Sequence, residues 1–452
     1  MRILLVLALA LGLSTAATAQ DNTSTVDQSG TNQEATVNQA GGDDNTSTVT
    51  QSGDEQDATV RQSGDDNVAR IEQLSPSFDN DATIRQSGDD NRATVSQTGG
   101  ANDNDVDVRQ SGDGNRADVT QAPLTTWTPN SNIVNVVQSG DDNRATVSQT
   151  DDADGNDVDV RQSGDDNVAS VTQSATSWYV TTETDITQSG DDNRATVTQT
   201  EHVLGSTVRV AQSGDDNRAT VSQTGGANDN DVDVRQSGDD NRATVSQTGN
   251  SDSNDADIRQ SGDDNRADVT QASNVFGPNG NDVDVIQSGD DNRATVSQTD
   301  DADGNDVDIR QSGDDNVASV TQSAISWFVT TETDITQSGD DNRATVTQTE
   351  HVLVSTVRVA QSGDDNRATV TQGSAATSDA GTIIRQSGDD NVANVLQDGT
   401  MLRASLIQGG DDNRSRLTQS GTDLTATVTQ NTNNNVSNNT QVGSNNSITV
   451  VQ

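Results

Sequence analysis

The chain has 452 residues and carries 25 arginines, no lysine and 72 acidic residues, a formal net charge of −47. Hydrophobic residues make up 28% and aromatic residues 2%, well below what a packed globule of this length carries, so composition alone points to an acidic disordered polymer and away from a large-core enzyme. The absence of cysteine removes disulfides, thiolate metal sites and cysteine nucleophiles, and a chain this acidic in sum repels phosphate, so no nucleic-acid partner is expected.

The first element in chain order is a leader. Arg2 supplies a positive start, Ile3 to Leu13 form an apolar run, and Ala17-Thr18-Ala19 offers a small-x-small cleavage site before Gln20. The run is much shorter than the ~20 residues that cross a bilayer. Residues 1–19 are therefore expected to be a secretory signal peptide, and residues 20–452 a mature chain with no membrane insertion.

From there the order of residues overrides their composition. Glutamine recurs at 28, 39, 51, 62, 73, 86, 97, 110 and 121 and continues to 430, 441 and 452, thirty-six positions in all. An interval of eleven alternates with a variable one, most often thirteen, so a typical unit has 24 residues. In one such unit Asn230, Val232, Val234 and Gln236 alternate with Asp231, Asp233 and Arg235. Gly238, Asp239, Asp240 and Asn241 follow, and Ala243, Val245 and Gln247 then alternate with Arg242, Thr244 and Ser246. Period two on both sides of a Gly/Asp/Asn cluster predicts strand, turn and strand, with the amide and aliphatic face inside.

One such hairpin cannot cover its own apolar face, but a stack of identical units can. The fold class predicted is all-β, a two-sheet β-solenoid of about eighteen rungs, a rod on the order of 85 Å long at β-strand spacing. A core of Asn230, Gln236, Asn241 and Gln247 beside Val232, Val234, Ala243 and Val245 is tolerable because a buried amide can bond the identical amide of the next rung.

The pattern Gln-x-Gly-x-x-Asn-x-Ala-x-x-x-Gln, present as Gln236, Gly238, Asn241, Ala243 and Gln247 and again as Gln86, Gly88, Asn91, Ala93 and Gln97, resembles the curlin repeat of bacterial curli subunits. The polar residue six positions before the first glutamine, usually Ser in that family, is Asn80, Asn104, Asn156 or Asn230 in several units and Ser206 or Ser355 in others. The resemblance implies a secreted, amyloid-forming fibre subunit of the biofilm matrix, acting in surface adhesion and cell aggregation. It further implies self-polymerisation, a nucleator subunit, export through an outer-membrane pore, and attachment to surfaces or matrix components. Two departures accompany it: the Gly/Asn-rich leader of curli subunits is absent after the signal, and the repeats far exceed the usual handful.

Parity places sixteen turns on one edge of the solenoid, fifteen of them reading Asp-Asp-Asn and the other Asp113-Gly114-Asn115. Like charges 4.8 Å apart repel by about 0.9 kcal/mol per pair even in bulk water, so something must neutralise these columns. Arg92, Arg144 and Arg242, each following the asparagine, are one candidate, and protons are another. Ca²⁺ at an array such as Asp215, Asp216, Asp239, Asp240, Asp263 and Asp264 is a third, and no other cofactor is expected. Otherwise the array is a solvated acidic edge that limits lateral aggregation. Crowding is expected to raise these carboxyl pKa values, favouring assembly at acid pH.

The opposite edge collects the exceptions: Phe78, Trp127, Trp178, Tyr179, Phe276, Trp327 and Phe328, the prolines at 76, 123, 129 and 278, and His202 and His351. Residues 145–224 recur at 294–373, an offset of 149 that equals six units, and such copying lengthens a rod without altering its cross-section. No convergent acid, base or nucleophile occupies a unique position, so no enzymatic activity is expected. Thr-x-Ser and Thr-x-Thr pairs, as Thr94/Ser96, Thr196/Thr198, Thr244/Ser246 and Thr369/Thr371, leave an ice-binding solenoid as an alternative. A Ca²⁺-dependent extracellular adhesin is another.

Overall fold

The computed structural model describes residues 21–100, 102–122, 131–151, 155–175, 182–201, 203, 205–278, 280–300, 304–324, 331–350, 353–373 and 378–452. Residues 1–19, expected to be a signal peptide, and Trp127, Trp178, Tyr179, Trp327, Phe328, Pro123, Pro129, His202 and His351 lie outside the described residues.

The alternating pattern folds as read. There are thirty-three strands and, among the described residues, no helix. Every strand pairs in parallel, and with few exceptions it pairs with the strand two places along the chain. The chain therefore winds through two facing parallel sheets, one rung per turn. A leading strand such as Asp231–Ser237 enters the Asp-Asp-Asn arc and a trailing strand such as Arg242–Asp252 leaves it. Near the C-terminus Val392–Gly409, Arg414–Gln430 and Val436–Val451 each run through both sheets. Counted that way the strands supply thirty-six segments, two for each of eighteen rungs.

Register is in step at the repeat. Val208 faces Val232 and Val232 faces Ala256 in the leading sheet, while Ala219, Ala243 and Ala267 line up in the trailing one. A slip of one residue would turn Val232 and Val234 outward and bury Asp233, so the period-two pattern fixes the register. One continuous core of Ala, Val, Ile and Leu runs from Val49 to Val428. Each buried valine contributes at most ~1.5–3 kcal/mol, so stability accumulates by the number of rungs and not by the depth of any one layer. The sixfold-unit duplication preserves this layering: Val160 and its copy Ile309 are both fully buried.

Candidate functional site

Because each rung repeats the last, the functional unit is a set of ladders and not a pocket. The first two are glutamine ladders. In the leading sheet Gln39 Nε2 donates to Gln62 Oε1, Gln62 to Gln86, and so on without interruption to Gln452, at 2.8–3.0 Å. The trailing sheet carries an equally unbroken series from Gln28 to Gln441, at 2.7–3.0 Å. Every donor points toward the C-terminal end, so both ladders have a direction. The second amide hydrogen ties the sheets together: Gln236 also donates to the Arg218 carbonyl across the core at 3.2 Å, and Gln247 to the Asn254 carbonyl at 3.3 Å.

Asparagine forms a third ladder inside the Asp-Asp-Asn arc. Asn241, fully buried, donates from Nδ2 to the Gly262 carbonyl at 2.7 Å and accepts the Asn265 amide on Oδ1 at 3.1 Å. Both bonds reach the next rung, so the side chain grips its successor twice. A fourth series lies at the opposite edge, where Asn254 N–H donates to Asn230 Oδ1 at 2.7 Å and Asn230 N–H to Ser206 Oγ at 3.1 Å. The structure thus places Asn230, Val232, Val234, Gln236, Asn241, Ala243, Val245 and Gln247 together in the buried layer of one rung. Gly238 sits at the arc with φ +93°, and a Cβ there would stand 2.3 Å from the Gly262 carbonyl oxygen. Only glycine fits that approach.

The second aspartate of each arc occupies the left-handed region, as Asp216, Asp240 and Asp264 do at φ 55°. Gly114 has φ +67° at the corresponding place, a conformation that glycine adopts without strain, so the one glycine of the series fits the arc. The first aspartate has a different task. Asp239 Oδ1 accepts the Asp215 backbone N–H at 3.0 Å, and Asp263 Oδ1 accepts that of Asp239 at 3.0 Å. Backbone dipoles therefore offset this column.

That arrangement corrects the expectation that Arg92, Arg144 and Arg242 neutralise the edge: among the described residues none of the three makes an ion pair. Most ion pairs lie instead on the outer face of the leading sheet, as Arg310 with Asp308 at 3.1 Å and with Asp284 at 3.6 Å, and Arg358 with Glu332 at 2.7 Å.

Carboxyl groups with raised pKa values stand in both places. At the arc, slight desolvation and then repulsion from Asp264, Asp216, Asp239 and Asp263 raise Asp240. On the leading face partial burial comes first and repulsion second, raising Asp81, Asp105, Asp157, Asp282 and Asp306. Asp255 is pushed up to about 6 by burial and by Asp257, Asp282 and Asp231. The largest shift therefore belongs to a sheet face that the spacing of charges along the sequence did not single out.

Among the described residues no group of three or more His, Asp or Glu side chains is arranged to hold a metal ion, and Asp215, Asp216, Asp239, Asp240, Asp263 and Asp264 are strung along the axis instead of converging. The grooves repeat as well. One of about 540 Å³ is lined by Arg61, Arg85 and Arg109 with Ser63, Ser87 and Ser111, and one of about 470 Å³ by Arg235 and Arg259 with Ser213, Ser237 and Ser261.

A rod of this kind, with identical buried amide ladders and no singular cleft among these grooves, defines a structural repeat protein. The chain belongs to the curlin-repeat family: the curlin associated repeat matches residues 19–53, 42–74, 79–103, 101–122, 130–164, 227–251, 279–313 and 384–421, together just over half of the sequence. No curated protein matches the chain. Family and fold are both structural and not catalytic in character.

Proposed function

We propose that this protein is a secreted structural subunit that polymerises end to end into curli-like amyloid fibres of an extracellular matrix, where it serves adhesion and cell aggregation. The observation that carries this reading is the direction of the glutamine ladders. Among the described residues they run from Gln28 and Gln39, whose amides donate to the next glutamine, to Gln441 and Gln452, whose side-chain amides donate only to backbone carbonyls. The end rungs are also incompletely covered: Val26, Ala35 and Val37 at one end and Val450 at the other are only partly buried. A second copy stacked head to tail continues both ladders and covers both ends, with the parallel register unchanged.

A nucleator subunit and an outer-membrane pore are the partners this reading calls for, and catalysis has no part in it. Ice binding is the second reading, favoured by the in-register hydroxyl row Thr196, Thr220 and Thr244 on the trailing face. Purified protein freed of its leader is expected to bind thioflavin and give cross-β diffraction near 4.8 Å, and Val450→Asp is expected to stop elongation while leaving the folded rod intact. A stable monomer that never lengthens, or a rod with strong thermal hysteresis, would overturn the fibre reading.

A further inference from the structure

The two outer faces of the solenoid carry opposite charge. Consider the twelve rungs whose trailing strands run from Arg92 to Gln372. Outward positions of the trailing face there hold ten arginines against two aspartates, Asp118 and Asp268, a net of +8. The leading face of the same rungs holds eight arginines against seventeen acidic residues, a net of −9. On the trailing face Arg194, Arg218, Arg242, Arg266 and Arg293 stand in adjacent rungs in one column. Of these only Arg266 makes an ion pair among the described residues, with Asp268 at 2.6 Å. On the leading face Asp231, Asp255, Asp282 and Asp306 form the matching column.

We propose that the trailing face of one rod docks on the leading face of a second copy with the two axes antiparallel, so that the arginine column of one lies along the aspartate column of the other. The direction follows from where the columns sit. A trailing strand leaves the Asp-Asp-Asn arc, so its first residue, the arginine, lies beside that edge. A leading strand starts at the far edge, so its first residue, the aspartate, lies away from the arc, and its fifth, such as Arg235 or Arg259, lies beside it. Stacking two rods with parallel axes sets arginine over arginine. Turning one rod by half a turn about the face normal sets arginine over aspartate and serine or threonine over arginine. The same turn places the two acidic arcs on opposite sides of the pair.

Both columns share one axial repeat, so a match at one rung is a match at its neighbours. A single exposed ion pair contributes about 0–1 kcal/mol, and only the repeated column gives a stable contact. Arginine suits it because its planar fork pairs with carboxylates at two points. The contact joins unlike faces and leaves one of each free, so it does not close; it builds layered bundles of alternating polarity. This association is lateral and is independent of growth at the rod ends.

Small-angle X-ray scattering on the full mature chain tests it through the cross-sectional radius of gyration, which reports side-by-side pairing whether or not rods lengthen. At about 20 mM salt the cross-section is expected to be that of two or more rods, falling to a single rod in 1 M NaCl, where the screening length is about 3 Å. The variant carrying R194Q, R218Q, R242Q, R266Q and R293Q is expected to stay single at low salt with an unchanged β circular dichroism spectrum. The variant carrying R85Q, R109Q, R161Q, R235Q and R259Q, which removes the same charge from the acidic face, is expected to pair at least as well as the parent. A parent that stays single at low salt, or a trailing-face variant that pairs like the parent, overturns the proposal. Gold labels at the C-terminus found on only one end of each bundle overturn the antiparallel arrangement. Rods that pair but never lengthen defeat the fibre reading and leave this one standing.

Discussion

Gln236 and Gln260, twenty-four residues apart, share a hydrogen bond of 2.8 Å in which the first amide donates to the second carbonyl in the middle of the core. Sequence distance becomes one axial step, and an amide that would be costly to bury alone is satisfied because its neighbour is identical. Replacing Gln236 by leucine keeps the volume but strips one Gln212 amide hydrogen of its acceptor and the Gln260 carbonyl of its donor, while Gln212 keeps its bond to the Arg194 carbonyl. The expected loss is about 1–3 kcal/mol. Hydrogen exchange should show it concentrated in the rungs on either side, and protection unchanged there would contradict the ladder.

Gly238 and Asp240 make a contrasting pair. Gly238→Ala forces a Cβ to within 2.3 Å of the Gly262 carbonyl at φ +93°, so both strain and clash oppose it, and a loss of about 2–4 kcal/mol is expected in urea unfolding. Asp240→Gly stands where Gly114 already occurs naturally, and it also removes a charge repelled by four neighbours. That variant is expected to be neutral or stabilising, and a penalty equal to that of Gly238→Ala would refute the assignment of the two positions.

The acidic leading face sets the pH dependence. A carboxyl whose folded pKa lies above its unfolded value of 3.8 destabilises the fold when ionised. The folded state is therefore favoured below about 4, and that advantage is lost as pH rises through the folded value of about 6 for Asp255. Thermal melts should show the melting temperature falling across this window. Asp255→Asn should be more stable than the parent at pH 7 and indistinguishable from it at pH 4, and a difference of opposite sign would exclude the mechanism.

The arc aspartates give an expectation for Ca²⁺. One oxygen of Asp239 and of Asp263 is already engaged by a backbone amide, which leaves a string of single carboxylate oxygens in place of a six- to eight-oxygen cage. Ca²⁺ is therefore expected to act on assembly as Mg²⁺ does at equal ionic strength, by screening. Saturable calorimetric binding of Ca²⁺ alone would show otherwise.

The repeat pattern was enough to place Gln236, Asn241 and Gln247 in a core, because period two and a fixed interval leave a strand only one face to bury. It also located the Asp-Asp-Asn arc on a single edge, since parity follows from counting. The direction of the amide ladders was beyond it, because a column of identical residues reads the same from either end until donors and acceptors are positioned in space. The pairing of Arg310 with Asp284 across a rung, and the lack of an ion pair at Arg242 among the described residues, were equally beyond it. Neighbours in the sequence suggested that Arg242 would serve the arc, whereas the alternation of side chains sends it outward onto a different face.

Composition, acidic, free of lysine and poor in large hydrophobes, determined that no deep core could form, and order determined that thin identical layers would replace it. What only the tertiary structure decided is where the charge resides. Strand direction reverses between the two sheets, so the same first-in-strand position lies at one edge for aspartate and at the other for arginine. Much of a net charge of −47 thereby resolves into one acidic face and one acidic arc, set against one basic face.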